Sequence, residues 1–260
     1  MTGTLEGRVA LVTGSSHNLG LAIALELAEQ GASVIVHGMH EPVDAATAIR
    51  AAVPGARVAS VGFDLAAPDA VAAGFASLAE RGLVVDVLVN NAAHLGMGED
   101  RSIDAPPQQF RDVLEVNVFG TYLCSMLAVR GMVESGGGSI VNISSLAGQR
   151  AIHDRLAYNT SKAAIDGMTR SMAIDFAEHH IRVNAIAPGY VWSDRWEHID
   201  DEEAARRRAR IPAGQPTMQR EIASLVAYLA SGSAPTLTGE VIAIDGGLAA
   251  QQSPREAGTR

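Results

Sequence analysis

Tyr158 and Lys162 stand four residues apart in Tyr158-Asn159-Thr160-Ser161-Lys162. In a helix they lie one turn apart on the same face. A free phenol titrates near pH ~10, too high for ready proton exchange at neutrality. An ammonium one turn away favours the phenolate and makes the phenol a usable acid/base. Taken alone, such a pair more often decorates the outside of an amphipathic helix. Its context reverses that reading. The run Ser139-Ile140-Val141-Asn142-Ile143-Ser144 is a strand ending at two serines, and Tyr158 follows Ser145 by 13 positions. A serine leaving the carboxyl edge of a strand can face the start of the next helix. There its hydroxyl can hold and polarise an oxygen awaiting the proton. Ser144, its neighbour, is expected to turn toward the scaffold.

A second constellation lies near the start of the chain. The apolar run 8–13 leads into Thr13-Gly14-Ser15-Ser16-His17-Asn18-Leu19-Gly20, followed by an Ala- and Leu-rich segment closed by Gly31. Ligands of open α/β sheets bind outside the carboxyl ends of strands, at helix N-termini. Glycines allow a tight turn and close backbone approach, and the helix dipole favours a pyrophosphate. A Gly-rich turn is often only a turn; its place after the first strand raises the nucleotide reading. Metal chemistry is not expected. None of the eight histidines forms a His-x3-His or His-Glu-x-x-His pattern, and His179-His180 adjoin at a helix end.

The elements that must position these residues alternate. Short apolar, β-branched runs at 8–13, 33–37, 58–63, 84–90, 139–144, 182–187 and 241–245 read as strands. Between them, 19–30, 44–52, 68–81, 107–134, 157–179 and 220–230 read as helices. That order predicts an α/β fold: a doubly wound, parallel, Rossmann-like sheet of seven strands in a single domain over residues 1–260. The polar stretch 192–215 interrupts the rhythm and is a candidate substrate lid, while 251–260 is a polar tail.

Composition narrows the function. Hydrophobic residues make up 47% and charged residues 19%, as in a packed globular protein. A net charge of −9 argues against nucleic acid as a partner. The lone Cys124 lies among apolar residues, which excludes an intrachain disulfide and points to a buried thiol. No basic segment followed by an apolar run opens the chain, and no uncharged apolar stretch is long enough to span a bilayer. A cytoplasmic protein without membrane contact is expected.

The ordered set of motifs resembles the short-chain dehydrogenase/reductase superfamily, from about Leu5 to Gly247. The resemblance implies an oxidoreductase moving a hydride between a nicotinamide and a ketone or secondary alcohol. Tyr158 would be the acid/base, Ser145 the holder of the substrate oxygen, and Lys162 the group that lowers the phenol's pKa and holds the nicotinamide ribose. Asn117 would anchor a proton-relay water to the lysine. Gly14, Ser16, His17, Asn18, Leu19 and Gly20 would form the dinucleotide turn, with Asn18 at the family's middle glycine. Asn90-Asn91-Ala92-Ala93 resembles the signature that steadies the sheet and contacts the adenosine ribose, Ala93 departing from its final glycine. Asp64 and Leu65 match the adenine-side pair. Pro188 and Gly189 would place Val191 against the nicotinamide carboxamide, and Ser193 stands where many relatives have threonine.

No carboxylate ends the second strand at Gly38-Met39-His40. NADP(H) is therefore favoured over NAD(H), which stays possible, with Met39 in place of an arginine and His17 and His40 as candidate donors. The chain is similar both to 3-oxoacyl reductases and to sugar or polyol dehydrogenases. A nucleotide-binding sensor or scaffold without turnover is the alternative, supported only by Asn18 and Ala93. Trp192, Trp196, His94, Met97, Arg150, His153 and Arg155 flank the predicted mouth, and Arg150 and Arg155 suggest an anionic substrate. The resemblance also implies a homo-oligomer, a tetramer or a dimer, formed through the helices around 110–134 and 158–179, where Val129, Met132, Met168 and Met172 are candidate apolar contacts.

Overall fold

The computed structural model describes residues 4–96, 101–193, 196 and 198–252. Met97, residues 194, 195 and 197 of the expected lid, and 253–260 of the tail lie outside the described residues.

Seven parallel strands form one sheet: β1 (Val9–Val12), β2 (Ser33–Gly38), β3 (Val58–Gly62), β4 (Val87–Asn90), β5 (Gly138–Ile143), β6 (Ile181–Pro188) and β7 (Val241–Ile244). Their order is β3-β2-β1-β4-β5-β6-β7. The central strands are apolar on both faces because helices cover both. Leu11, Ile35, Leu88 and Val183 face one layer, and Val12, Val34, Val89 and Val141 the other. Helices α1 (Asn18–Glu29), α2 (Val43–Ala52) and α8 (Gln219–Ala230) cover one face through Ile23, Leu27, Ile49, Ile222 and Val226. Helices α3 (Pro68–Glu80), α5 (Thr121–Glu134) and α6 (Leu156–Asp175) cover the other through Val71, Leu78, Cys124, Met132 and Met172. The chain leaves β1 toward β2 on one side and returns to β4 on the other. This reversal opens a crevice at the strands' carboxyl ends.

The long helix predicted at 107–134 is continuous but not uniform. It consists of α4 (Pro107–Leu114), a π turn over Glu115–Gly120, and α5. Pro107 at its first turn costs no hydrogen bond, since that N–H has no helical partner. By length and composition Pro107–Glu134 could cross a bilayer. Its inner face is instead part of the core, with Val113, Cys124, Ala128 and Met132 buried. Helix α6 stops at Asp175, short of the predicted 179, and a 3-10 turn follows over Ala177–His179.

The polar stretch near 192–215 contains one charged helix, α7 (Asp201–Arg210). The Asp200 carboxylate caps it by accepting from the Glu203 N–H at 2.7 Å. Its acidic first turn and basic last turn both interact favourably with the helix dipole. The buried Trp196 lies beneath the guanidinium groups of Arg207 and Arg208, at 5.9 and 5.7 Å. The same indole stacks on Trp192 at 5.7 Å and donates to the Val191 carbonyl at 2.9 Å.

Candidate active site

The turn after β1 is shaped by the absence of side chains. A Cβ on Gly20 would collide with the Gly14 carbonyl oxygen and come within 2.8 Å of the Ser15 Cα. Gly14 has φ +62°, and a Cβ there would come within 2.8 Å of the Ala92 Cα. Asn18 replaces a family glycine and adopts φ +48°, the left-handed region that asparagine tolerates better than most residues. His17 precedes α1 with an extended backbone and makes no side-chain cap, so no side chain at that position engages the helix's first N–H groups.

Three side chains hold this turn. The Thr13 hydroxyl accepts from the Asn91 and Ala92 N–H groups at 2.9 and 3.1 Å. The Asn91 amide donates to the Thr13 and Gly14 carbonyls at 2.9 and 3.0 Å. The third is His37, a strand residue by its place in an apolar run. It is 2% exposed, at the end of β2. Its Nδ1 accepts from the Gly14 N–H at 3.1 Å, which leaves the ring proton on Nε2, donated to the Phe63 carbonyl at 3.0 Å. Burial lowers its pKa to about 4, so the ring stays neutral. The only signal in the sequence was a histidine inside an apolar run.

The turn forms one end of a cleft of about 590 Å³ along the carboxyl edge of the sheet. Ser16, His17, Met39, Asp64 and Leu65 line its β2–β3 side, and Ser145, Tyr158, Lys162, Pro188, Gly189, Val191 and Ser193 the other. Every catalytic or cofactor-binding residue assigned from sequence is in this lining except two. His40, proposed as a phosphate donor, is not in the lining: its side chain is exposed beyond the strand end. Asn117 sits directly behind the lining, 2% exposed. Gln219, unremarked in the sequence, joins the rim and donates to the Trp192 carbonyl at 3.1 Å. The extended cleft, the bare N-terminus of α1 and a turn with no room for a Cβ together fit a dinucleotide.

At the other end, the Lys162 ammonium and Tyr158 meet as their spacing requires. The Lys162 Nζ lies 5.6 Å from the Tyr158 ring centroid and donates to the Ile143 carbonyl at 2.8 Å. Lys162 is 4% exposed. Burial pushes its pKa down to about 8, against a smaller upward pull from Asp166. A second cation, the Arg155 guanidinium, lies 5.6 Å from the same ring centroid. Ser145 stands at the edge of β5, its Oγ accepting from the Ala147 N–H at 3.1 Å. Ser144 turns inward as expected, donating to the Asp166 carboxylate at 2.5 Å. Asp166 went unnoticed in the sequence, yet it is buried one turn beyond Lys162. Desolvation raises its pKa, and the Ser144 hydroxyl, Arg170 and Lys162 oppose the rise.

Asn117 is tied to two elements. Both N–H groups of its amide are engaged, by the His94 carbonyl and by the Ser161 hydroxyl, each at 2.9 Å. Its Oδ1 accepts from the His94 N–H at 2.6 Å. The side chain therefore clamps the β4–α4 loop to α6. It does so from within the π turn, a distortion frequent at functional sites. Among the described residues, no group of three His, Cys, Asp or Glu side chains could hold a metal ion.

Comparison with known proteins agrees with this geometry. Residues 14–249 match a family model described as enoyl-(acyl carrier protein) reductase. The chain is 35% identical over 245 residues to the 3-oxoacyl-(acyl-carrier-protein) reductase FabG of Vibrio cholerae, covering 94% of this chain and 98% of the relative. It is 37% identical over 246 residues to the cis-4-hydroxycyclohexanecarboxylate dehydrogenase of Sinomonas cyclohexanicum, covering 94% and 97%. Among solved structures, it is similar to a gluconate 5-dehydrogenase from Burkholderia cenocepacia in complex with NADP and tartrate. That likeness has a TM-score of 0.88 and 30% identity over 95% of this chain and 97% of the other.

Proposed function

We propose that this chain, which belongs to the short-chain dehydrogenase/reductase superfamily and is an NAD(P)-dependent oxidoreductase of carbonyl and alcohol groups, uses NADP(H) and takes Tyr158 as its acid/base. The observation that carries the reading is the meeting of Tyr158, Lys162 and Ser145 at one end of a cleft whose other end is a dinucleotide turn.

When bound, the nicotinamide supplies or accepts the hydride; the protein's residues orient the reactants and manage the proton. In reduction, Tyr158 gives its phenolic proton to the substrate oxygen. Ser145 hydrogen-bonds the same oxygen and fixes it for that transfer. Lys162, positive beside the ring, favours the phenolate that results. Asn117 keeps the β4–α4 loop in place against α6, which sets the wall behind the tyrosine. In oxidation each transfer runs in reverse.

The preference for NADP(H) rests on the β2 edge. No carboxylate stands there to repel a 2′-phosphate. Glu41, the first acid after the strand, accepts from the Ser60 hydroxyl at 2.7 Å. Of the two candidate donors, His17 lines the cleft and His40 does not, and Ser16 joins it there, their side chains 2.8 Å apart on the cleft wall. The relative solved with NADP adds support from outside the chain. The substrate is a ketone or secondary alcohol, of the 3-oxoacyl or the sugar and polyol type. The segment 192–215 is its lid, tied down through Trp196. The protein is a cytoplasmic homo-oligomer assembled through α5 and α6, where the stacked Phe119 and Tyr122 stay 40% and 42% exposed in the single chain.

The test is Tyr158→Phe, assayed on a panel of ketones and alcohols with NADPH, NADH and their oxidised forms. The expected result is unchanged nucleotide binding and a rate reduced roughly 10²–10⁴-fold, the usual worth of a positioned acid/base. An undiminished rate would remove Tyr158 from the chemistry. Equal affinity for NADPH and NADH would remove the cofactor preference.

A further inference from the structure

Arg155 is held in place by a fastened kink. The chain reaches it through Asp154, a non-glycine residue at φ +53°, in the left-handed region. That kink is fastened on both sides. The Asp154 carboxylate accepts from the Ser102 N–H at 3.0 Å. The Asn159 amide bonds Ile152 in both directions, donating to its carbonyl at 2.8 Å and accepting from its N–H at 3.2 Å. The result sets the half-buried Arg155 guanidinium over the Tyr158 ring. Among the described residues, no carboxylate lies within ion-pair distance of it.

Arg155 and Tyr158 together wall a cavity of about 360 Å³ that opens between α4 and the start of α6. It adjoins the cleft at Tyr158, which lines both. Arg111 stands on its α4 wall, and the first turn of α4 carries no acidic residue. Among the described residues one carboxylate lines the wall, Asp154, and it is engaged by the Ser102 N–H and by His153, 2.9 Å away. Arg101 and His153 hold its pKa down, after the larger effect of the Ser102 N–H. A guanidinium offers a planar fork of donors matched to a carboxylate. Presented beside the acid/base, and without an ion-pair partner among the described residues, it offers a place for a negative group that a substrate can supply.

We infer that the substrate carries a carboxylate remote from its reacting carbon, and that Arg155, with Arg111 at the rim, binds that group. The inference rests on the oxidoreductase reading above and narrows its substrate to hydroxy and oxo acids. Two relatives act, by their names, on a cyclohexanecarboxylate and a gluconate. Both are hydroxy acids.

Binding to the NADP⁺-saturated protein is measured for cyclohexanecarboxylate and for cyclohexanecarboxamide, a pair differing in charge and little in shape. Turnover of cis-4-hydroxycyclohexanecarboxylate and D-gluconate is followed alongside. The wild type is expected to bind the carboxylate at least tenfold tighter than the amide. Arg155→Gln should erase that preference, Arg155→Lys should restore part of it, and Tyr158→Phe should keep it while turnover is lost. A wild type without preference, whether it binds both or neither, overturns the inference, as does a preference that survives Arg155→Gln. Carboxylate preference in a wild type that oxidises no alcohol would instead overturn the oxidoreductase reading and leave an anion site. Turnover of neutral alcohols without that preference would do the reverse.

Discussion

Replacing Lys162 with methionine should abolish turnover and yet make the folded chain more stable. Burial holds the ammonium at a pKa of about 8, down from the usual 10.5. At neutral pH the folded protein thus carries a charge that the unfolded chain would hydrate freely. At about 1.4 kcal/mol per tenfold change in proton affinity, that burial costs roughly 3 kcal/mol. Methionine removes the cost but leaves two debits. The Ile143 carbonyl loses the donor now at 2.8 Å, a loss of about 1–3 kcal/mol for a buried acceptor. Asp166 loses a neighbouring cation, though it keeps the Ser144 hydroxyl and Arg170. The balance is a gain of about 1 kcal/mol at neutral pH, roughly 2–4 °C in melting temperature for a chain this long. The pH dependence is the sharper mark. The folded pKa lies below the unfolded one, so between about 8 and 10.5 the unfolded chain keeps a proton that the folded chain has released. Wild-type stability therefore rises across that window relative to the variant, and the advantage of methionine fades. Denaturant unfolding of both proteins at about pH 7 and about pH 10 measures the gap. Protein concentration is fixed and nucleotide left out, since association and ligand both shift apparent stability. A variant less stable than wild type at neutral pH, with a gap indifferent to pH, would refute the claim that the fold bears the cost of this charge.

Two further outcomes concern the dinucleotide turn. His37→Ala leaves the Gly14 N–H and the Phe63 carbonyl without the ring that joins them; at about 1–3 kcal/mol per unpaired buried group, NADPH affinity should fall by roughly tenfold or more by fluorescence titration, and unchanged affinity would show that the turn does not need this clamp. Asn18→Ala places an ordinary side chain at φ +48° and should lower stability by about 1 kcal/mol, whereas Asn18→Gly should be neutral or stabilising; the reverse order of melting temperatures would contradict the left-handed assignment.

Some of this molecule was legible in the sequence because two periodicities do not overlap. Strands buried on both faces read as unbroken apolar runs, and Val87, Leu88 and Val89 are all buried in the centre of the sheet. Tyr158 and Lys162 were legible as a pair because helical spacing alone fixes which residues share a face. The π turn at 115–120 was not legible. Its i→i+5 bonds displace the helix by a single residue, too little to disturb an apolar pattern already rich on several faces. Without it, the Asn117 side chain could be assigned to a helix but not to the His94 backbone it clamps. His37 failed for a different reason. Its role depends on the tautomer, and the tautomer is set by a glycine 23 positions away. His40 shows the opposite error, since a polar residue beside a strand end need not face the ligand.

The polar residues that tie these elements together share one property: they are buried under apolar helices. Asn90 donates to Ser125 on α5 and to Asn142 on β5, and Asn142 donates to Thr169 on α6. Ser144 reaches Asp166, and Asn117 reaches Ser161, both on α6. Apolar contacts in the same layer would hold α6 against the sheet just as firmly, but they permit small slides along its axis. A hydrogen bond does not tolerate the same displacement. Three of these bonds, at Thr169, Asp166 and Ser161, end on the helix carrying Tyr158 and Lys162, and each becomes costly if the helix shifts by an ångström. Proton transfer between a phenol and a held oxygen is sensitive to displacements of that size. On this reasoning the buried polar groups fix the register of α6 against β5, and with it the distance from the tyrosine to the serine.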